Sequence, residues 1–359
     1  MTRFKAGFFC AAHQVNSMIV RMIVLFCFIS LPLSASIASN TKKPLVKILT
    51  WWEYLDPETL RSRIEKKCNC RISYDEYYSN TEFLERVVSR GSSYDLIIYA
   101  DTVYDLFEHQ EKIDKNKREM DSLPKATYYP AINKRYSTEK YPPTTRLFGI
   151  AHSGFLYNSL LLDIKKGETI EAIFLKSKDK VVLVMDDYAE ISKLVDGNPS
   201  LERFNNLKKN VKLLPTNRIA HLSKREDFAF AYLWSGEALE AIEQNKNDKL
   251  RYLVHNKLSH VSSDLITLRK DSIFSRCVFL ELSSRENVSE ITRNTFYFSP
   301  YGPNCDAREA NNLFCKNENE FFNKIDRLNW LERMNKDEAF RIDSTWQLIK
   351  RQTWQSLRK

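Results

Sequence analysis

Glycine is scarce, with eight residues in 359. So thin a supply excludes the Gly-rich loops that cradle phosphates, and the chain holds no G-x-G-x-x-G, no Walker-type loop and no H-E-x-x-H. No nucleophile elbow, metal motif or paired His–acid signature points to catalysis, so no enzyme and no cofactor are expected. His152, with no catalytic partner in view, reads as a structural or surface histidine. Basic residues outnumber acids by 55 to 46, for a net charge of +9. They never gather into a compact tract interleaved with aromatics, so nucleic acid is not an expected partner. A basic surface favours anionic partners or membrane surfaces, and it argues against a cationic ligand unless the binding cleft is locally acidic. What is present is length for two domains, and 43% hydrophobic with 12% aromatic residues to build their cores.

The N-terminus reads as a secretory leader over residues 1–38. Arg21 precedes an apolar run of about 12 residues, Met22 to Leu33, and Ser36-Ile37-Ala38 offers small residues for cleavage. That run is short for a bilayer span. The alternative is an uncleaved anchor, and Met18 or Met22 is an alternative start. Cys27 follows Phe26 and lacks a lipobox. Removing the leader takes Arg3, Lys5 and Arg21 and no acid, so the net charge falls from +9 to +6. The mature chain is expected in the periplasm, as a monomer.

Five cysteines remain after the leader: Cys68, Cys70, Cys277, Cys305 and Cys315. An exported protein permits disulfides. Cys305 and Cys315 flank a polar loop and are the favoured pair. Cys68 and Cys70 stand too close to bridge each other easily. Cys277 lies in an apolar stretch and reads as a buried thiol. A lone C-x-C is weak evidence for zinc, and no metal site is expected.

Strands and helices alternate along residues 45–113. Leu45 to Leu49 is apolar and strand-like. Pro57 opens a helix carrying Leu60 and Ile64. Ile72 to Tyr78 is a strand, Ser79 or Asn80 caps a helix with Phe83, Leu84, Val87 and Val88 on one face, and Tyr94 to Tyr99 is a buried strand. Leu106 to Ile113 is helical. This alternation predicts an α/β fold with a largely parallel sheet. Residues 115–145 are polar and Pro-rich, a surface excursion ahead of a domain crossing. Phe148 to Tyr157 reads as a strand pair or edge strand. Later strands are expected at Lys180–Met185, Phe228–Leu233 and, briefly, Leu265–Leu268. Helices are expected at Ile170–Leu175, from Ala189, at Ala238–Gln244 and at Phe274–Leu282, with a helical C-terminus carrying Trp330, Trp346 and Trp354.

One event recurs: a strand ends in an aromatic or acidic residue, at Trp51, Asp101, Asp186 and Trp234. The carboxyl ends of strands face the crevice where open α/β sheets bind ligands. The first loop, Thr50-Trp51-Trp52-Glu53-Tyr54, combines indoles, a carboxylate and a phenol. Aromatic faces with acids attract cations, so the expected ligand is a small organic amine. Each residue also has a plainer reading. Adjacent strand residues point to opposite faces, so one of Trp51 and Trp52 belongs to the core. Trp234 can simply fill a core beside Gly236. Asp186 reads as a helix cap or a solvent-facing acid, and Asp187 with Glu190 also fits an ordinary acidic first turn.

Over residues 45–315 the chain resembles the polyamine-binding (spermidine and putrescine) periplasmic components of ABC transporters. Trp51-Trp52-Glu53-Tyr54 is similar to that family's Trp-x-Glu-Tyr loop. Tyr74 to Asn80 resembles its tyrosine-containing strand ending in Ser-Asn, and Tyr94-Asp95-Leu96 its Tyr-Asp-Leu strand. Met185 to Glu190 is similar to its Asp-Asp-x-x-Glu turn and Leu233-Trp234-Ser235-Gly236 to its Trp-x-Gly turn. Asn294 to Asn304, with Tyr297, Pro300 and Pro303, resembles its Tyr-Pro-x-Pro-Asn segment.

The resemblance implies a two-lobed periplasmic binding protein fold of type II-like topology, with two hinge crossings and a ligand cleft between the lobes. One lobe would comprise residues 44–146 plus 263–310, the other 147–262 plus 311–359. Trp51, Glu53 and Tyr54 would line the cleft, Asp187 and Glu190 would pair with amines, and Trp234 would stack on the methylene chain. The pattern departs at Ala100-Asp101-Thr102 and at Val261-Ser262-Ser263, where the family has Ser and Tyr, then Trp and Asp. Asp264 stands one position late, Asp101 is placed to restore an acid, and Gln347 is the nearest counterpart of a C-terminal Gln. The implied function is delivery of a polyamine to an ABC permease. A second reading keeps the same clamshell as a sensor that reports polyamine to a membrane-bound cyclic-di-GMP signalling protein.

Overall fold

The structure, a computed structural model, describes residues 42–356 apart from 56–57, 91–92, 109–122, 139–140, 196–199, 217–218, 246–248 and 310–311. The expected leader, its alternative starts and Pro57 lie outside the described residues. Nine strands form one sheet: β1 Leu45–Trp51, β2 Arg71–Tyr77, β3 Leu96–Ala100, β4 Thr145–Asn158, β5 Val181–Val184, β6 Lys212–Pro215, β7 Phe228–Trp234, β8 Leu250–Leu253 and β9 Val261–Leu268. Their order is β2-β1-β3-β9-β4-β7-β5-β6, with β8 paired to β4.

The sheet is mixed rather than largely parallel. β1 pairs in parallel with β2 and β3, and β5 with β6 and β7. These two parallel sets are joined by antiparallel strands. β4 is the joint. Its first half, Thr145–His152, pairs with β9, and its second half pairs with β7 and β8. The expected strand pair or edge strand at Phe148–Tyr157 is therefore one central strand of 14 residues. β9 also exceeds the short strand expected at Leu265–Leu268, because Val261–Ser263 extend it alongside β4. The polar Ser262, Ser263 and Asp264 hide that extension from an apolar pattern. β4 and β9 are the two strands that connect the parallel sets.

Local sequence explains the helices that flank the first lobe. Glu58–Cys68 opens on Glu58, closes on Lys66 and Lys67, and buries Leu60, Ile64 and Cys68; acids first and bases last complement the helix dipole. Asn80–Arg90 buries Asn80, Phe83 and Val87. Ile273–Leu282 starts from a capping box between Ser272 and Ser275. Glu58–Cys68 and Ile273–Leu282 pack together over β1 and β9 with a core of Ile48, Leu60, Ile98, Ile266 and Phe279, while Asn80–Arg90 lies against β3 and puts Phe83 and Val87 into the other core. Lys336–Ser356 packs on β6 and on the helices Tyr188–Leu194 and Leu201–Lys208, burying Ile342, Trp346 and Ile349.

Cys305 and Cys315 form a disulfide. Cys277 is not a free thiol: it bridges to Cys68 across 209 residues, with Cα atoms 5.7 Å apart. The apolar surroundings reflect the packing of two helices that the bridge ties together. Cys70 is the buried free thiol instead.

Candidate ligand-binding cleft

Every strand of the two parallel sets except β6 ends at one cavity of about 960 Å³. From the first parallel set come Trp51 at the end of β1, Tyr77 at the end of β2 and Ala100 at the end of β3; Asp186-Asp187 after β5 and Trp234 at the end of β7 come from the second. Parallel packing of neighbouring strands aligns their ends, so a loop placed after each strand faces the same crevice. Ala151 and Ser262 on the crossing strands form part of the wall.

Trp51 and Trp52 both line the cavity. Trp51 packs on Tyr77, ring centroids 4.4 Å apart, and Trp52 on Tyr78 at 5.5 Å. One of the two indoles belongs to the core as expected: Trp51, half-buried at the end of the strand, packs against both hydrophobic cores while also lining the cavity, and the turn leaves Trp52 exposed. Glu53 takes φ +56° in this turn, and its N–H donates to Glu76; its side chain is exposed at the cavity edge.

Tyr54 is buried and its hydroxyl donates to the Asp264 carboxylate at 2.9 Å. Asp264 lies opposite Ala100 on β3 and Gly149 on β4. A Cβ on Gly149 would fall 2.1 Å from the Tyr54 hydroxyl. Only glycine leaves the space for that hydrogen bond. Burial pushes the Asp264 carboxyl up to about 7, and Asp187 and Asp101 add to the rise; the Tyr54 hydroxyl and the Trp51 indole pull the other way.

Asp187 caps the helix Tyr188–Leu194, accepting from the Ala189 N–H at 2.9 Å. Its second oxygen accepts from the Asn80 side-chain amide, also at 2.9 Å. The residue is 8% exposed and lines the cavity. Burial pushes its carboxyl up to about 6 against the pull of the capping N–H groups. Asp186, expected as cap or solvent-facing, instead accepts from Trp346 and pairs with Lys350 at 2.8 Å.

Two residues from the expected set do not reach the cavity. Glu190 is fully buried behind the wall, where one oxygen accepts from the Tyr232 hydroxyl at 3.0 Å. Burial holds its carboxyl well above the usual range. Asp101 turns aside to Arg333, whose Nε stands 2.8 Å away, and accepts from the Tyr141 hydroxyl. The Arg333 guanidinium lies over the rings of both Tyr104 and Tyr141, 4.4 Å from each centroid. Gln347 bonds to Asp343, not to the cleft.

Sequence reasoning missed Glu237 and Tyr297 as a pair. Glu237 sits in the first turn of Ser235–Asn245 and lines the cavity beside Tyr297. Burial pushes its carboxyl up to about 7, with Glu240 and Asp264 adding to the rise. The signal was in the Trp-Ser-Gly-Glu turn, one helical turn past Trp234.

The lining carries six carboxyl side chains, from Glu53, Asp186, Asp187, Glu237, Glu240 and Asp264. Among the described lining residues there is no lysine or arginine, and His221 is the one basic side chain.

Neither a protein-family model nor a curated protein sequence matches the chain. Solved structures do. A putative spermidine/putrescine ABC transporter protein from Listeria monocytogenes matches at TM-score 0.66 with 18% identity, over 85% of this chain and 98% of that one. A spermidine/putrescine ABC transporter substrate-binding protein from Streptococcus pneumoniae matches at TM-score 0.60 with 18% identity, over 86% and 99%. Iron-bound HitA from Pseudomonas aeruginosa matches at TM-score 0.58 with 10% identity, over 85% and 99%. The chain has the two-lobed fold of periplasmic binding proteins along nearly its whole described length. A fold that also hosts an iron-bound protein does not choose the ligand; the site does.

Proposed function

We propose that this chain is a periplasmic solute-binding protein, not an enzyme, that closes over a polyamine of the putrescine, spermidine or norspermidine class and delivers it to an ABC permease. One observation carries the reading: a chain of net charge +9, or +6 without its expected leader, has no lysine or arginine among the described residues that line its large cavity and places six carboxyl side chains there. Asp186 has its own partner in Lys350, but Asp187, Asp264 and Glu237 are held by neutral donors, so these three repel one another and lose hydration. A cationic guest relieves both costs.

The chemistry of the walls suits a flexible aliphatic cation. Burying an ammonium costs several kcal/mol unless a carboxylate and hydrogen bonds replace water. Asp187 and Asp264 supply carboxylates held in place by Asn80, the Ala189 N–H and Tyr54. Trp51 and Trp234 supply flat walls for methylenes, and each cation–π contact adds about 0.5–2 kcal/mol. Two of the solved structures with this fold are spermidine/putrescine transport proteins, which supports the same ligand class.

The test is calorimetric titration with putrescine, cadaverine, spermidine and norspermidine. Saturable heat with at least one of them is expected. Flat heats for all four reject the amine assignment.

A further inference from the structure

Among the described residues, three of the six cavity acids have no cationic partner, and they stand apart from the rest. Asp186 is committed to Lys350, Glu240 accepts from Gln244 on its own helix, and Glu53 is exposed at the edge. Asp187, Asp264 and Glu237 are held by neutral donors: Asn80 and a helix N–H, Tyr54, and Tyr297 respectively. Glu237 is the least satisfied. One oxygen meets the Tyr297 hydroxyl at 3.4 Å, and the other is buried with no hydrogen-bond partner. An orphaned buried carboxylate oxygen is costly, and a donor brought by a ligand removes that cost.

The local backbone is shaped for this arrangement. A Cβ on Gly236 would fall 2.3 Å from the Tyr297 ring and 2.6 Å from the Thr295 carbonyl oxygen. Glycine is therefore required for Tyr297 to lie against the start of the helix that carries Glu237. Tyr297 also contacts Tyr54 edge-on, ring centroids 5.6 Å apart. A chain of aromatic contacts thus runs from Asp264 to Glu237 along one wall. The titratable groups that act most on Glu237 are Glu240, Tyr297, Asp264 and Tyr252, none of them a cation; His221 is the one basic side chain among the described residues of the same lining.

We infer that Glu237 is a third ammonium anchor, which makes the cleft select linear triamines over diamines. The inference rests on the polyamine reading and adds to it the number of charges the guest must carry. Three unpaired carboxyls match three ammonium groups. A diamine leaves one of them buried without a donor.

Titration of spermidine and cadaverine against the native protein and Glu237→Gln, near pH 7 in two buffers of different ionisation enthalpy, tests it. The native protein is expected to bind spermidine at least about tenfold more tightly than cadaverine. Glu237→Gln is expected to lose at least about tenfold in spermidine affinity and less than about threefold in cadaverine affinity. Spermidine should also displace more protons from the native protein than cadaverine does, a readout that needs no variant. Equal affinity and equal proton release for the two amines overturn the triamine inference, as does an equal loss for both on substitution; the amine reading then stands. Failure of the native protein to bind either amine removes the amine reading together with the inference.

Discussion

The Asn80 side-chain amide donates to the Asp187 carboxylate at 2.9 Å, although 107 residues separate the two in sequence. Asn80 begins the helix after β2, and Asp187 caps the helix after β5. One hydrogen bond from a neutral donor therefore joins elements of the two parallel strand sets, and it occupies an oxygen that an ammonium is proposed to claim.

Asp187 performs two tasks that substitution separates. Asparagine caps helices about as well as aspartate. Asp187→Asn should therefore leave the melting temperature nearly unchanged while polyamine affinity falls at least about tenfold. Asp187→Ala loses the cap as well, about 1 kcal/mol of stability, and should weaken binding by roughly 2–5 kcal/mol, the cost of breaking a buried charged pair. Chemical denaturation and calorimetry measure the two effects side by side. Unchanged affinity in both variants moves the amine contact elsewhere.

The free protein should lose stability as pH rises from about 6.5 to 8, above the range in which His152 and His260, lowered to about 4 by burial, act in the opposite direction. Burial raises the carboxyls of Asp187 to about 6 and of Asp264 and Glu237 to about 7. The folded state thus holds protons that the unfolded chain has released, so unfolding becomes easier as pH climbs through that window. Polyamine affinity should move the opposite way and rise with pH, because the carboxylate is the form that pairs with ammonium. Thermal melts across this range, with and without spermidine, should show the ligand-induced shift widening toward pH 8. A shift that narrows contradicts the assignment.

Two of the eight glycines serve close approach at the cleft. Gly149→Ala drives a methyl into the Tyr54 hydroxyl and should break its bond to Asp264. A spermidine affinity lower by about tenfold or more is expected, since a charged hydrogen bond contributes roughly 1.5–3 kcal/mol. Wild-type affinity in Gly149→Ala would show that the Tyr54–Asp264 bond does not position the ligand.

The Cys68–Cys277 disulfide closes a long loop. Cys277→Ser should lower stability by about 2–5 kcal/mol, as removal of a native disulfide does. The bridge joins two helices and neither cysteine lines the cavity. Affinity in the folded variant should therefore stay within about threefold of the native value. Guanidinium denaturation and calorimetry check the two halves of this expectation.

Strand ends were legible because an apolar run that stops at an aromatic or acid marks them directly. Trp51, Tyr54, Asp187 and Trp234 all carry that signal or follow it closely. Asp264 was legible only through family resemblance, since β9 is polar where it passes the cavity. Asp101 carries the same strand-end signal yet faces Arg333, 232 positions later in the chain; no local pattern encodes that pairing. Glu190, three residues past Asp187, shares its helix but is drawn under β7 by Tyr232. The partner of Cys277 was hidden for the same reason, because a bridge over 209 residues is decided by how two helices pack.

A crystal structure grown with spermidine tests the central claim most directly. The account predicts the amine inside the cavity, with ammonium nitrogens within hydrogen-bonding distance, about 2.7–3.2 Å, of Asp187 and Asp264 and its methylenes along Trp51 and Trp234. Spermidine bound outside that cavity, or an empty cleft at saturating concentration, contradicts it.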